Sequence, residues 1–251
     1  MDKNTIPTKE ESIKIFKKFV LFSNVEEHCV TVTSVATYLA NKIYKKRAPD
    51  LNLDLIFAAA LFHDLGKGLT IKTLEPDKYG FRPLTEEQER NWRLQVSFYE
   101  PLKNLFAELE TIRPGLNKKV HETDLASIIV GSLYPDFIPH IHRIGGANNQ
   151  IYFESGLEMK IVHYADWIVH QFNLIPFEKR LDYIFSRYCS EQSEDQCQLR
   201  KKKEFALEQE LFDGLDITPN NLSLDEINKL KPELFNGEFD YFQTQRVSAI
   251  D

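Results

Sequence analysis

A histidine and an aspartate stand side by side in the stretch Leu61-Phe62-His63-Asp64-Leu65-Gly66-Lys67-Gly68. They follow the apolar run of residues 55–62, which we expect to be buried. A carboxylate that enters a buried site is costly unless a cation or hydrogen-bond donors meet it. An imidazole nitrogen and a carboxylate oxygen at this place can converge on one metal ion. We therefore predict a functional site at His63 and Asp64, and the alternative is an ordinary surface or capping pair.

The same stretch carries the signals of a helix near residues 53–65. Asn52 can cap the start of this helix, and Gly66 suits the left-handed position just past its end. His63 and Asp64 would then lie in the last helical turn, on adjacent faces. The helix dipole mildly disfavours an aspartate at that end, and a divalent cation would offset the cost.

The composition indicates one domain, or one domain with an appendage. The chain has 251 residues, of which 42% are hydrophobic and 27% charged, so a normal core can form. The net charge of −7 argues against a protein that coats extended nucleic acid. Three cysteines favour a reducing compartment, and no apolar leader or membrane-length run is visible. We expect a cytoplasmic protein without a membrane partner, and a homodimer remains open.

Helical signals recur along the chain, whereas no stretch shows convincing strand alternation. Four pairs fit the capping pattern of a helix start: Ser23 with Glu26, Thr85 with Gln88, Ser155 with Glu158, and Ser223 with Glu226. A long helix is expected after Thr85, and Pro101 should kink it or split it. A short helix is expected within residues 1–22, and others near residues 24–46, 119–133, 137–144, 156–172, 176–189 and 196–212. The sequence therefore predicts an all-α fold.

Two further polar side chains fall on inward faces of these helices. His28 lies one turn from Val25 and from Val32, where a core histidine is the structural alternative. Asp166 lies in the middle of an apolar helix, on one face with His163 and His170, and a structural hydrogen bond to a histidine is its alternative.

Together these positions make a mixed set of nitrogen and oxygen ligands. Two imidazoles and two carboxylates suit Mn, Fe, Co, Ni, Zn or Mg. The four residues are His28, His63, Asp64 and Asp166.

This order of residues resembles the HD superfamily of metal-dependent phosphohydrolases. The flanking segments Val25-Glu26-Glu27-His28, Ala58-Ala59-Ala60-Leu61-Phe62-His63-Asp64-Leu65-Gly66-Lys67 and Ile161-Val162-His163-Tyr164-Ala165-Asp166 strengthen the resemblance. Residues 177–181 and 207–212 look like the tail of small stand-alone members, so the resemblance covers about residues 20–220. It implies a helical bundle with the metal site between helices. We expect an HD phosphohydrolase domain over residues 1–220, including the N-terminal helix, and a C-terminal helix and tail over 221–251.

The resemblance, together with the chemistry that phosphate cleavage requires, implies roles for individual residues. The metal ligands would be His28, His63, Asp64 and Asp166. The catalytic residues would be Asp64, Lys67 and Glu27, of which Lys67 would contact a substrate phosphate from a loop beyond the helix end, and Asp64 or Glu27 would orient the water. The substrate-binding residues would be Lys67, His121 and Arg143.

Three functions remain open on this scaffold. The first is a phosphohydrolase that acts on a nucleotide or a related small phosphate ester. The second is a non-enzymatic HD domain that binds a nucleotide and signals to a partner. The third is a di-iron oxygenase similar to myo-inositol oxygenase, which would need two metal ions and a fuller set of protein ligands.

The number of metal ions is where this sequence departs from the two-metal members of the family. His121 and His142 are the candidate ligands of a second ion, but Ile144 stands where the resemblance implies the remaining nitrogen. We therefore predict about one ion per chain after dialysis, because a second ion needs its own ligands beside a bridging carboxylate. Metal analysis of the parent and of His121→Ala checks this, and two ions in the parent that fall towards one in the variant would contradict it.

Overall fold

The computed structural model describes residues 5–70, 84–112, 122–141, 155–170, 172–188 and 193–239. Its α-helices are α1 (Lys9–Lys17), α2 (Ser23–Lys46), α3 (Leu53–Phe62), α4 (Lys67–Thr70), α5 (Glu86–Ile112), α6 (Glu122–Gly131), α7 (Ile138–Ile141), α8 (Leu157–Ile168), α9 (Phe177–Tyr188), α10 (Glu194–Phe212) and α11 (Leu224–Leu234). Short 3₁₀ helices span Pro135–Phe137 and Pro219–Asn221. In the described part of the chain, strand is limited to the antiparallel pair β1 (Val169–His170) and β2 (Asn173–Leu174). The predicted all-α class is confirmed.

The apolar run of residues 55–62 forms the centre of the fold. Every side chain in it is buried, including the three alanines of residues 58–60. A helix that is apolar on all sides must be covered on all sides. Helix α3 is covered by α2, α8 and α1, and α2 also packs directly on α8. The central position of α3 thus follows from the absence of a polar face in its sequence.

Several predicted helix starts are confirmed by their hydrogen bonds. The backbone N–H of Leu55 donates to Asn52 Oδ1 at 3.0 Å. Thr85 and Gln88 bond reciprocally, at 3.0 and 3.2 Å, as a capping box requires. The hydroxyl of Ser223 accepts from the backbone of the third residue of α11.

Other local predictions are wrong, and each error has a local cause. Helix α3 ends at Phe62, and positive φ values among the described residues occur at Asn236, Gly214 and Gly237, not at Gly66. Successive turns after His63 lead into α4 instead, with Lys67 N–H donating to Asp64 O at 2.9 Å.

The cap of α2 differs from expectation, and of the two outcomes expected at Pro101, a kink or a split, the split does not occur. Ser23 is the first helical residue of α2, and the preceding Phe22 is the cap residue. Helix α5 passes through Pro101 without being split, because a proline removes one ladder bond and need not end a long helix.

Helix α8 is shorter than expected at both ends. It begins after Gly156, not Ser155, and ends at Ile168. His170 therefore lies in β1 and not on the helical face of His163 and Asp166. None of the described helices is long and apolar enough to cross a membrane.

Helix α11 shares the core of the preceding helices. The ring of Phe235, just after α11, is fully buried and lies 5.5 Å from the ring of Phe57 in α3. Lys231 Nζ donates to Thr31 Oγ1 of α2 at 3.0 Å in a buried position. The division near residue 220 stays a prediction, and these contacts provide a way to test it.

Replacing Phe235 by alanine should lower the free energy of unfolding of the whole chain by about 3–5 kcal/mol, because it removes a buried ring and leaves a cavity. Urea unfolding followed by circular dichroism measures this loss. Leu199→Ala is the matched control, since Leu199 is 57% exposed and its loss should cost less than about 0.5 kcal/mol. A separate early transition in Phe235→Ala, with the main transition unchanged, would show that α11 is an independent appendage.

Candidate metal centre

Four side chains converge where α2, α3 and α8 meet. His28 lies on α2, His63 and Asp64 directly follow α3, and Asp166 lies on α8. His28 Nε2 is 3.1 Å from Asp166 Oδ1 and 3.8 Å from Asp64 Oδ2. His63 Nε2 is 3.4 Å from Asp166 Oδ1 and 3.5 Å from Asp64 Oδ2. Two imidazole nitrogens thus face the same two carboxylates, which is the set that the sequence predicted. Their role as metal ligands stays a prediction.

The end of α3 fixes the orientation of the His63 ring. Its Nδ1 lies 2.7 Å from Ala60 O, one of the last carbonyls of the helix, which have no partner within the helix itself. A carbonyl only accepts, so Nδ1 carries the proton and donates it. In the neutral ring, Nε2 therefore presents a lone pair to the carboxylates.

The surroundings of His63 Nε2 show whether these residues fit a metal ion. It is buried and has no hydrogen-bond partner among the described residues. A lone pair that faces Asp64 and Asp166 is unfavourable unless a cation or a proton lies between them. Metal-binding histidines commonly donate their other ring N–H to a backbone carbonyl, as His63 does to Ala60. The donor set therefore fits a divalent ion.

The electrostatics of the centre agree with this geometry. Burial lowers the pKa of His63, but the charges of Asp64 and Asp166 outweigh it and raise that pKa to about 9. Burial raises the pKa of Asp166, and the nearby His63 and His28 reverse this, so that it lies well below its usual range. A raised pKa favours a proton on His63 at neutral pH when no metal is bound, and metal binding must displace that proton because a ligating imidazole is neutral at the ligating nitrogen.

Lys67 is arranged differently from the loop residue that the sequence suggested. It is the first residue of α4, and its Nζ contacts Asp64 Oδ2. Burial raises the pKa of Asp64, and the Lys67 ammonium together with His63 and His28 brings it below its ordinary value. The ammonium thus lies beside a predicted metal ligand, on the surface of the site.

The centre is closed on one side and open on the other. The side chains of His63, Asp64 and His28 are 4%, 11% and 13% exposed. Those of Asp166 and Lys67 are 27% and 40% exposed. A ligand that approaches from solvent therefore meets Asp166 and Lys67 first.

Of the remaining predicted site residues, the structure describes Glu27. Glu27 is half-buried on α2, and as the neighbour of His28 it projects about 100° further around the helix. His121, His142 and Arg143 lie outside the described residues.

A second buried polar pair was missed by the sequence reasoning. His163 Nε2 lies 2.9 Å from Glu204 Oε2, and both side chains are almost fully buried. Glu204 stands three residues before the buried Leu207 and seven before Leu211, so its place on the inner face of α10 was a readable signal. This pair joins α8 to α10.

Comparison with protein families gives one match. A family model described as HD domain matches residues 25–136, a range that includes His28, His63, Asp64 and Lys67 and ends before Asp166. Comparison with curated proteins found no match, and comparison with solved structures found none.

The convergence of the four side chains predicts a measurable response to metal. Mn²⁺ at about 100 times its dissociation constant should stabilise the parent by about 2.7 kcal/mol, because the ion binds only the folded chain. Asp166→Asn keeps the shape of the side chain and removes its charge, so it should abolish most of this stabilisation. Thermal unfolding with and without Mn²⁺ measures the effect. Asp182→Asn is the control, since this carboxylate is 61% exposed and pairs with Lys201; an undiminished Mn²⁺ response in Asp166→Asn would refute the assignment.

Proposed function

We propose that the chain, of which residues 25–136 match the HD domain family model, is a metal-dependent phosphohydrolase that cleaves phosphate esters of a nucleotide or a related small metabolite. One observation carries the proposal. The buried Nε2 of His63 lacks a hydrogen-bond partner among the described residues and faces two carboxylates beside a second imidazole. The cofactor would be Mn, Fe, Co, Ni, Mg or Zn, all of which accept mixed nitrogen and oxygen ligands.

Each residue of the centre would have its own role in such a reaction. A bound divalent ion supplies a water of lowered pKa and a positive charge for the phosphoryl oxygens. His28, His63, Asp64 and Asp166 would hold that ion, and Ala60 O keeps the His63 ring in its orientation. Either Asp64 or Glu27 would accept a hydrogen bond from the attacking water and set its direction.

Lys67 would act on the substrate from the open side of the centre. Its side chain is 40% exposed while its ammonium lies at Asp64. A lysine binds phosphate as a compact point charge and stabilises the charge that develops on the oxygens during transfer. His121 is proposed as a further substrate contact on the basis of the sequence resemblance, and Arg143 because its charge would stabilise the phosphoryl oxygens.

A phosphate-release screen tests the proposal. The purified chain is analysed for bound metal and then incubated with mononucleotides, triphosphates and cyclic dinucleotides in the presence of Mn²⁺, Co²⁺, Ni²⁺ or Mg²⁺. Metal-dependent release by the parent, with none from Asp166→Ala, is the expected result. Nucleotide binding without release under any condition would instead favour the regulatory alternative.

Lys67→Ala should retain the metal and lower kcat/KM on the best substrate roughly 10- to 150-fold. This factor corresponds to about 1.5–3 kcal/mol of transition-state stabilisation, which is the size of one charged hydrogen bond. Steady-state kinetics with metal analysis of the same samples measures both effects. Lys42→Ala is the control, because Lys42 pairs with Asp216 at the far end of α2. Unchanged kinetics in Lys67→Ala would remove Lys67 from the reaction.

A further inference from the structure

The turn that carries Lys67 is held from α5 by Trp92. The indole Nε1–H donates to Gly68 O at 2.7 Å in a buried position. Trp92 is 8% exposed, and its ring packs edge to face on Phe22, with centroids 6.0 Å apart. A buried carbonyl that loses its donor is costly, so this bond fixes the backbone directly after Lys67.

Gly68 lies too close to the segment before α2 to carry a side chain. A Cβ atom at this position would lie 3.0 Å from Leu21 Cδ2 and 3.0 Å from Val20 O. Helix α5 binds the same segment through Gln95, whose side chain accepts from Val20 N at 2.9 Å and donates to Val20 O at 3.2 Å. Helix α5, the Lys67 turn and the chain leading into α2 are therefore tied together at one place.

This arrangement bears on the direction of the Lys67 side chain. A partly exposed lysine has many rotamers, so its ammonium is directed chiefly by the backbone that carries it and by its polar contacts. The backbone of the Lys67 turn is fixed on one side by its bond to Asp64 O and on the other by the bond from Trp92. Loss of the second bond would let the turn move and would weaken the contact of Nζ with Asp64.

We propose that Trp92 is a positioning residue, which holds the Lys67 ammonium at Asp64 by anchoring the carbonyl of Gly68. The catalytic consequence rests on the proposed phosphohydrolase function, whereas the placement of the ammonium does not. The proposal gives α5 a role in the site, although none of the four predicted metal ligands lies on this helix.

A double-mutant cycle tests whether Trp92 acts through Lys67. Trp92→Phe keeps an aromatic ring against Phe22 and removes the Nε1 donor. In the parent background it should lower kcat/KM by about 3- to 10-fold, the size of one neutral hydrogen bond. In the Lys67→Ala background it should cause no further loss, because the ammonium that it positions is absent. Equal losses in both backgrounds would show a merely structural role and overturn the proposal.

Mn²⁺ affinity gives a second readout that needs no hydrolysis. An ammonium beside Asp64 repels a cation bound there, so Lys67→Ala should tighten Mn²⁺ binding, as measured by electron paramagnetic resonance titration. Trp92→Phe should tighten it by a smaller factor, and the double variant should match Lys67→Ala. If no substrate releases phosphate but this affinity pattern is found, the proposed function fails and the positioning role stands.

A packing control separates lost positioning from lost stability. Phe235→Leu alters a buried ring that packs on Phe57 and Phe239, so it should lower the melting temperature. It should leave Mn²⁺ affinity at the parental value. Trp92→Phe with parental Mn²⁺ affinity, or with a shift no different from that of Phe235→Leu, would overturn the proposal.

Discussion

Two carboxylates held beside two imidazoles in a largely buried site are the constraint on which the rest of this structure depends. Asp64 and Asp166 would repel one another there without positive charge between or beside them. The chain provides that charge through Lys67 at Asp64 and through the protonated His63 between the two. A rigid frame is needed as well, because four side chains on three helices must keep their separations within a few tenths of an ångström.

That frame comes from the composition of α3. The distance between packed helices depends on the side chains at the contact, and residues 58–60 are all alanine. Small side chains let α2 and α8 approach the same stretch of α3, and His28 of α2 meets Asp166 of α8 at 3.1 Å. The end of α3 then supplies the Ala60 carbonyl that orients His63. The apolar run is therefore both the core of the fold and the support of the site.

The sequence predicts those parts of the fold and site that local periodicity encodes. Helical spacing places His28 and Asp166 on inward faces of α2 and α8, and the resemblance to the HD superfamily implied that they meet the His63–Asp64 pair. Other contacts between residues far apart in the chain could not be foreseen, because no local pattern specifies a partner 24 or 41 residues away. The Trp92–Gly68 bond and the His163–Glu204 pair are of this kind. The turn after α3 was misjudged because Gly66 is only one way to end a helix, and here the chain turns directly into α4.

The balance of charge at the centre explains why one lysine matters for the proposed reaction. In the metal-free protein the two carboxylates are balanced by the protonated His63 and the Lys67 ammonium. A divalent ion that replaced the His63 proton would by itself balance both carboxylates. The ion and its four ligands would then have no net charge, and the Lys67 ammonium would give the centre a net charge of about +1. Lys67 lies on the side of the centre where Asp166 is exposed. An excess of positive charge at an open face attracts an anion, and a phosphate ester is an anion whose phosphoryl oxygens carry negative charge in the ground state and in the transition state. The position of that one ammonium, and hence of the turn that carries it, decides where the substrate phosphate is stabilised.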